Sequence, residues 1–320
     1  MILGGLLRSF ARGLAGRGAR AGRPVPLSRE VSIGMAAHGN SHTTRRALDA
    51  LFASASGDFE LVLVDDKSPD DTLDVFLEAG RRHRNTRIFS FAENLEYCQS
   101  VHAFLSHAAG SSLLFLSNDI FASPAYLREL LRSAAAHPQC GILRGCSNFV
   151  DKGTALHMVP VPDFASREAY FAFAEEIALR HAGEAPRDER FLVGDAFLVQ
   201  RRVLERIGGF DTRFVGYFGD VDFGLRAQLA GFRVVLERRA FAFHQKNANI
   251  DVLPVPQQRM RWDRRRRLVD AAATLFLDKY GVTLDQGGID NVPWSELARR
   301  EFVPELHYAA PKDYSAHRVR

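Results

Sequence analysis

Four short apolar runs, each joined to the next through a loop or a helical stretch, constrain this chain more than any other feature. They are VSIGMAA (31–37), ELVLVDD (60–66), TRIFSF (86–91) and SSLLFL (111–116). Runs of this length that stay apolar on consecutive positions read as strands buried on both faces, as in a parallel sheet. Between them, TTRRALDALFAS (43–54) puts Ala47, Leu48 and Leu51 on one helical face, and residues 99–109 also read as a helix. The segment SPDDTLDVFLEAGRRH predicts a helix with Ser68 as its N-cap, Pro69 at the first helical position, and Asp70 and Asp71 near its positive end. This alternation predicts an α/β fold, a doubly wound and mostly parallel sheet with helices on both faces. Such sheets bind ligands beyond the carboxyl ends of their strands. Asp65, Asp66 and Asp119 all fall at those ends.

The second half follows the same logic less regularly. AYLRELLRSAAAHP (125–138) reads as a helix stopped by Pro138, and GILRGCSNFVD (141–151) as a strand that leaves Asn148 at its end. Residues 165–181 look helical and 183–190 look like a loop. From 191 to 245 the pattern is strand, helix, loop, helix, strand. The second of these helices is expected over 221–230, closed by Gly231, with Asp222 and Arg226 able to pair at i, i+4. A last helix is expected over 264–280.

With 320 residues, 46% apolar and 25% charged, the chain can bury a full core. Its three cysteines, Cys98, Cys140 and Cys146, match neither a CxxC metal site nor a disulfide framework, which points to a reducing, cytoplasmic compartment. No apolar run reaches the ~20 residues needed to span a bilayer. The net charge of +4 is unevenly placed: residues 1–29 hold six arginines and no acid, and RMRWDRRRR (259–267) is a second basic block. Either block could be a solvated face or could be drawn to an anionic surface, membrane lipid or a phosphate-bearing substrate. For residues 1–29 three readings compete: a disordered leader, an interfacial helix, or a processed targeting segment. Disorder with weak membrane affinity is preferred. The division expected is a basic leader (1–29), a main domain (30–250) and a helical or irregular extension (251–320).

The acids Asp65/Asp66, Asp119 and Asp220/Asp222 lie far apart in sequence, with His244 as a further polar candidate. Singly, an Asp after a strand is most often a turn former, and a lone His a satisfied structural residue. Gathered in one crevice, carboxylates repel unless a cation holds them. One Asp and one His at a divalent metal leave positions open for substrate oxygens and water, which suits Mn²⁺ or Mg²⁺ and not a closed zinc site.

At these residues the sequence resembles the inverting glycosyltransferases of family 2, with the GT-A nucleotide-sugar-binding fold. The resemblance runs from about Val31 to His244, and more loosely to Tyr280. VSIGMAAHGN is similar to the family's opening strand and loop, with Ala36, Ala37 and His38 at the usual Pro-Thr-Tyr. VDDKSPDDT resembles the VDDxSxDxT turn, where an Asp contacts the nucleoside; that role passes to Asp66, with Asp65 beside it. ENLEYCQSVH resembles the NxGxxxxxN segment through Asn94, with Glu96 at the usual Gly and His102 at the second Asn. LSNDI matches the DxD position: Ser117 replaces the first acid, Asn118 stands between, and Asp119 is the implied metal ligand. GGFDTRFVGYFGDVDFGLR resembles the signature whose acidic pair ends on the catalytic base. Gly219 replaces the Glu, and Asp220 is the implied base. His244, 24 residues on, matches the metal-binding His of galactofuranosyl- and rhamnosyl-transferases.

The resemblance implies an inverting transfer from a UDP- or dTDP-sugar to a glycan or lipid-linked acceptor, in surface polysaccharide or cell-wall synthesis. Asp65, Asp66, Asn94, Asn118, Asn148, Gly194, Asp195 and Asp222 are the implied substrate-binding residues, and Asp119 and His244 the metal pair. Asp222 has a second reading, as support for its loop through the helix start or Arg226. A peripheral membrane contact agrees with the two arginine-rich stretches; nucleic-acid binding is not expected from one Arg block with one Trp. The alternatives are an inactive nucleotide-sugar-binding relative, since Ser117 and Gly219 each remove an acid, and a nucleotidyltransferase. The latter normally needs a Gly-rich phosphate loop that VSIGMAAHGN lacks.

Overall fold

The computed structural model describes residues 22–150, 156–245, 255–282, 292–308 and 312–320. The basic leader therefore lies outside the described residues up to position 21. The elements in chain order are β1 (Val25–Leu27), β2 (Val31–Ala37), α1 (Ser41–Ser54), β3 (Ala55–Gly57), β4 (Glu60–Asp65), α2 (Thr72–Arg82), β5 (Thr86–Ser90), α3 (Tyr97–His107) and β6 (Ser112–Ser117). Then come β7 (Ile120–Phe121), α4 (Pro124–Ala136), β8 (Cys140–Ser147), α5 (Arg167–Arg180), β9 (Arg187–Asp188), β10 (Ala196–Gln200), α6 (Arg201–Ile207), α7 (Gly219–Leu229), β11 (Arg233–His244) and α8 (Val255–Tyr280). Short helical turns follow at Trp294–Leu297, Pro304–His307 and Ser315–His317.

The main sheet runs β5-β4-β2-β6-β10-β8-β11, with β7 and β9 paired to β11. The first four strands are parallel, as expected. β8 and β11 are also parallel, but β10 between β6 and β8 is antiparallel to both. The reversal brings the start of β10 to the carboxyl end of β6, with Ala196 opposite Leu116. Asp195 therefore arrives at the same edge as Asp119.

The apolar runs are buried for the reason the sequence suggests. Leu61 and Leu63 alternate faces with Val62 and Val64, and all four are fully buried. Leu61 and Leu63 join a core shared with α1, α2, α4 and α5. Val62 and Val64 join the opposite core with α3, α7 and α8. Gly34 lets the Phe104 ring lie against β2: a Cβ there would sit 2.6 Å from Phe104 Cδ1. The described part of 251–320 packs on this second core through Ala272, Phe276, Tyr280, Trp294 and Tyr314. The chain end also pairs with the sheet edge, Val319 N–H donating to the Ile88 carbonyl at 2.8 Å.

Three local expectations change. The helix after β4 starts at Thr72, not after Ser68. Ser68 is spent on the turn: its N–H donates to Asp65 Oδ1 at 3.2 Å and its hydroxyl accepts Gly39 N–H at 2.8 Å. Asp70 Oδ1 instead accepts the Thr72 N–H at 3.1 Å, meeting a donor the first turn cannot pair itself. The helix expected from 221 begins two residues earlier, so Asp220 lies inside its first turn. The last helix is longer than 264–280 and begins at Val255, so the whole RMRWDRRRR block is helical.

Candidate active site

Backbone pairing sets Asp119 and His244 side by side. β7 and β11 are antiparallel with His244 opposite Ile120, and Gln245 N–H donates to the Asp119 carbonyl at 2.9 Å. Asn148 clamps the same point: its amide donates to the His244 carbonyl at 3.0 Å and its carbonyl accepts the His244 N–H at 2.7 Å. His244 Nε2 lies 3.5 Å from Asp119 Oδ2. Nδ1 lies 3.1 Å from the Phe149 carbonyl, which accepts when Nδ1 carries the proton and so turns the Nε2 lone pair toward Asp119. Burial lowers the affinity of this imidazole for a proton, but Asp119 and then Asp195 outweigh it and raise the pKa to about 9. The pair thus attracts a positive charge strongly.

Asp195 adds to that demand. Its Oδ1 accepts from Arg144 at 3.1 Å and from Ala196 N–H at 2.9 Å. Its Oδ2 is buried without a hydrogen-bond partner among the described residues, 3.6 Å from His244 Nδ1. An imidazole nitrogen and a carboxylate oxygen beside an orphaned acceptor are donors that fit Mn²⁺ or Mg²⁺. Among the described residues, no group of three or more His, Cys, Asp and Glu forms a metal site. A cation at the pair would take two protein ligands, with its remaining positions left to substrate oxygens and water.

Asp220 stands next to this cluster, in the first turn of α7. Gly194 N–H donates to its Oδ2 at 2.7 Å, and the Tyr97 hydroxyl donates to the Gly194 carbonyl at 2.7 Å. Only glycine permits this approach, because a Cβ at 194 would lie 2.6 Å from Asp220 Cβ. Burial pushes the Asp220 carboxyl up to about 6, the Gly194 and Val221 N–H groups pull it down, and Asp195 adds to the rise. Gly219, where an acid was missed in the sequence, has no room for a side chain: a Cβ would lie 2.6 Å from Cys98 Sγ and 2.9 Å from the Phe210 ring.

The 94–97 loop ties this end to the strand ends of the parallel half. Leu95 N–H donates to Asp66 Oδ1 at 2.7 Å, two residues before Tyr97. Burial lifts Asp66 to about 6, against the Leu95 hydrogen bond and the nearby His38. His38 Nδ1 meets the Asp66 carbonyl at 2.7 Å, and Asn94 Nδ2 lies 3.2 Å from His38 Nε2. Asp66, Asn94, Gly194, Asp195, Asp220, Asp119, His244 and Asn148 thus form one connected group.

Three other expected residues have their polar atoms engaged elsewhere. Asp65 accepts from Ser68 N–H and, at 3.0 Å, from the Ser90 hydroxyl. Asn118 donates to Thr44 Oγ1 at 2.9 Å and to the Gly39 carbonyl at 3.3 Å, fixing the loop after β2. Asp222, read first as substrate-binding, is fully buried. Its Oδ2 accepts from Arg226 at 2.7 Å, and its Oδ1 accepts from Lys279 at 2.5 Å and the Tyr280 hydroxyl at 2.8 Å. The structural reading, with Arg226, is the one this geometry follows.

Tyr97, Arg144 and Lys279 hold this geometry without being among the expected site residues. Two of these carried a signal: Arg144 interrupts the apolar strand GILRGC, and Lys279 sits among the apolar residues of LFLDKY. A charge at a core position asks for a buried partner.

Comparison with known proteins gives the group a context. The family profile described as "Glycosyltransferase like family 2" matches residues 29–264. The O-antigen biosynthesis protein RfbC of Myxococcus xanthus is 28% identical over 240 residues, 73% of this chain and 19% of that protein. The N-acetylglucosaminyl-diphospho-decaprenol L-rhamnosyltransferase of Mycobacterium tuberculosis is 26% identical over 227 residues, 63% of this chain and 71% of that protein. Among solved structures, the mannosyltransferase PcManGT from Pyrobaculum calidifontis, in complex with GDP-Man and Mn²⁺, superposes with a TM-score of 0.51. It is 16% identical, with 76% of this chain and 68% of that one covered. The fold is the GT-A fold of glycosyltransferases, and the chain belongs to glycosyltransferase family 2.

Proposed function

We propose that this chain transfers a glycosyl group, with inversion, from a nucleoside diphosphate sugar to a hydroxyl of a glycan or lipid-linked acceptor. The observation that carries the reading is Asp220: a carboxylate with a raised pKa, fixed by Gly194 and joined through Asp195 to the Asp119–His244 pair. Asp66, with Asn94 and His38 beside it, receives the nucleoside at the strand ends. The Asp119–His244 pair faces the diphosphate, where a bound divalent cation would neutralise the leaving group's charge. Asp220 accepts the proton of the acceptor hydroxyl as its oxygen attacks the anomeric carbon. The bond to the diphosphate breaks on the opposite face and nucleoside diphosphate departs. A base with a pKa about 6 is deprotonated at neutral pH yet still basic enough to take the proton. The relatives named for O-antigen biosynthesis and as an N-acetylglucosaminyl-diphospho-decaprenol L-rhamnosyltransferase support an envelope glycan as the product class. A UDP- or dTDP-sugar is the proposed donor.

The test is a screen of UDP-, dTDP- and GDP-sugars with Mn²⁺ or Mg²⁺ and polyprenyl diphosphate-linked sugar acceptors, following nucleoside diphosphate release. Asp220→Asn is expected to lower turnover by about 10²–10⁴-fold with donor affinity retained. Undiminished turnover in that variant would remove Asp220 as the base. Metal-dependent donor binding with no transfer to any acceptor would favour the inactive relative.

A further inference from the structure

We infer that the first half of α8 is a docking surface for an anionic lipid bilayer, lying beside the Asp220 side of the candidate site. Val255, Arg259, Trp262 and Arg266 recur at i, i+4, i+7 and i+11, so they form one stripe along the helix; Met260 and Arg267 lie on the adjoining stripe. All six are exposed, Val255 by 69%, Met260 by 71% and Trp262 by 39%. A helix face that served only solvent would have no use for three large apolar side chains among its arginines. The second half of the same helix shows the contrast, because there Ala272, Phe276 and Tyr280 are buried in the core. Arg259, Arg266 and Arg267 form no ion pair among the described residues, and Asp263 is the one acid between 255 and 267. Exposed arginines interleaved with a Trp, a Met and a Val match an interface in which the cations meet lipid phosphates while the apolar groups enter the headgroup layer. Among the described residues no helix is long and apolar enough to cross a membrane.

The position of the helix gives the contact a purpose. Arg264 pairs with Glu96, the neighbour of Tyr97, and the Arg265 guanidinium lies 5.6 Å from the centre of the Tyr217 ring. Tyr217 and Phe218 lead directly into Asp220, and Phe276 of α8 packs on Phe218 at 5.7 Å. Docking through this stripe holds the Asp220 side of the candidate site near the bilayer surface, where a lipid-linked acceptor resides. The inference deepens the acceptor part of the proposed function and rests on it for its purpose. Its test stands apart, because vesicle binding needs neither donor nor turnover.

The experiment is co-sedimentation of the full chain with phosphatidylcholine vesicles, with and without phosphatidylglycerol, at physiological salt. Binding is expected only to the anionic vesicles and is expected to weaken as salt rises. The triple reversal Arg259→Glu, Arg266→Glu, Arg267→Glu is expected to lower the partition coefficient about 100-fold or more. The matching triple change to Lys is expected to retain binding, since charge and not a specific fork is at work. Tryptophan emission should shift to the blue on anionic vesicles, and Trp262→Phe should abolish the shift because Trp294 is already buried. Equal binding to neutral vesicles, or no binding to anionic ones, would overturn the inference. Undiminished binding of the triple Glu variant would place the contact elsewhere on the chain and overturn it as well.

Discussion

The two ends of the candidate site are held by different kinds of force. At one end, Asp119 and His244 are neighbours because β7 and β11 pair in a fixed register and Asn148 ties down the His244 backbone. At the other end, Asp220 depends on the position of α7, and that helix is anchored by buried charges. Lys279 of α8 donates to Asp222 at 2.5 Å and to Asp211 at 2.7 Å, while Arg226 bridges Asp222 to the Ile207 and Gly209 carbonyls. All four side chains in that network are almost wholly buried. Main-chain pairing spreads its hold over many bonds, whereas an ion network fails when one member is removed. The Asp119–His244 end should therefore tolerate side-chain changes that the Asp220 end does not.

The largest expected effect probes the network. Lys279→Met takes one hydrogen-bonded cation from two buried carboxylates, leaving Asp211 to Arg213 and Asp222 to Arg226, and should destabilise the fold by about 3 kcal/mol. Thermal unfolding should show a clear fall in Tm, with turnover falling more than donor affinity in the protein that remains folded. An unchanged Tm would erase the contrast between the two ends.

The pH response sharpens it next. As the proposed base, Asp220 would have to be unprotonated to act, and its carboxyl is raised to about 6. Falling pH therefore removes the active form through about 6, above the range of an ordinary carboxylate. Below that value kcat/KM should drop about tenfold per pH unit. At the other end a proton on His244 opposes a cation and is held up to about 9. Affinity for Mn²⁺ in a direct titration should therefore keep rising with pH beyond neutrality, after the rate has levelled. A metal affinity that is flat from neutral to pH about 9 would break the assignment of His244 as a ligand.

A smaller effect is expected at the clamp. Asn148→Ala removes both hydrogen bonds to the His244 backbone but leaves the β7–β11 pairing intact. The expected cost is about 1–2 kcal/mol, well below that of Lys279→Met, measured by denaturant unfolding. A loss as large as that of Lys279→Met would show that side chains, not strand register, hold this end.

The smallest effect concerns Glu96, which has φ 71 and ψ 173, a conformation that suits glycine. Its partner Arg264 is largely exposed, so that pair contributes little. Glu96→Gly should be neutral or stabilise by about 1 kcal/mol through relief of strain. A measurable loss would mean that the Arg264 pair, and with it the seat of α8, matters more than exposure suggests.

Much of the parallel half of the sheet was legible in the residues. Val62 and Val64 mark a strand buried on both faces, and such a strand in a βα alternation puts the following Asp66 at a ligand-binding edge. Motif order carried Asp119, Asp220 and His244 further than any single residue could. Ser68 misled, because a good N-cap residue can equally serve a turn, and the choice fell to a loop 29 positions away at Gly39. Asp222 misled in part, because the motif marks it without saying whether its oxygens face a ligand or a lysine 57 positions on.

By itself the sequence determined the alternation of strands and helices, the acids at the strand ends and the pairing of Asp222 with Arg226. All of these follow from local periodicity and spacing, which act within a few turns of chain. The tertiary structure decided the reversed direction of β10, which brings Asp195 to His244. It also decided the closeness of Gly194 to Asp220 and the capture of Asp222 by Lys279. Those depend on which distant segments share a core, and burial fixes that only once the whole sheet has closed.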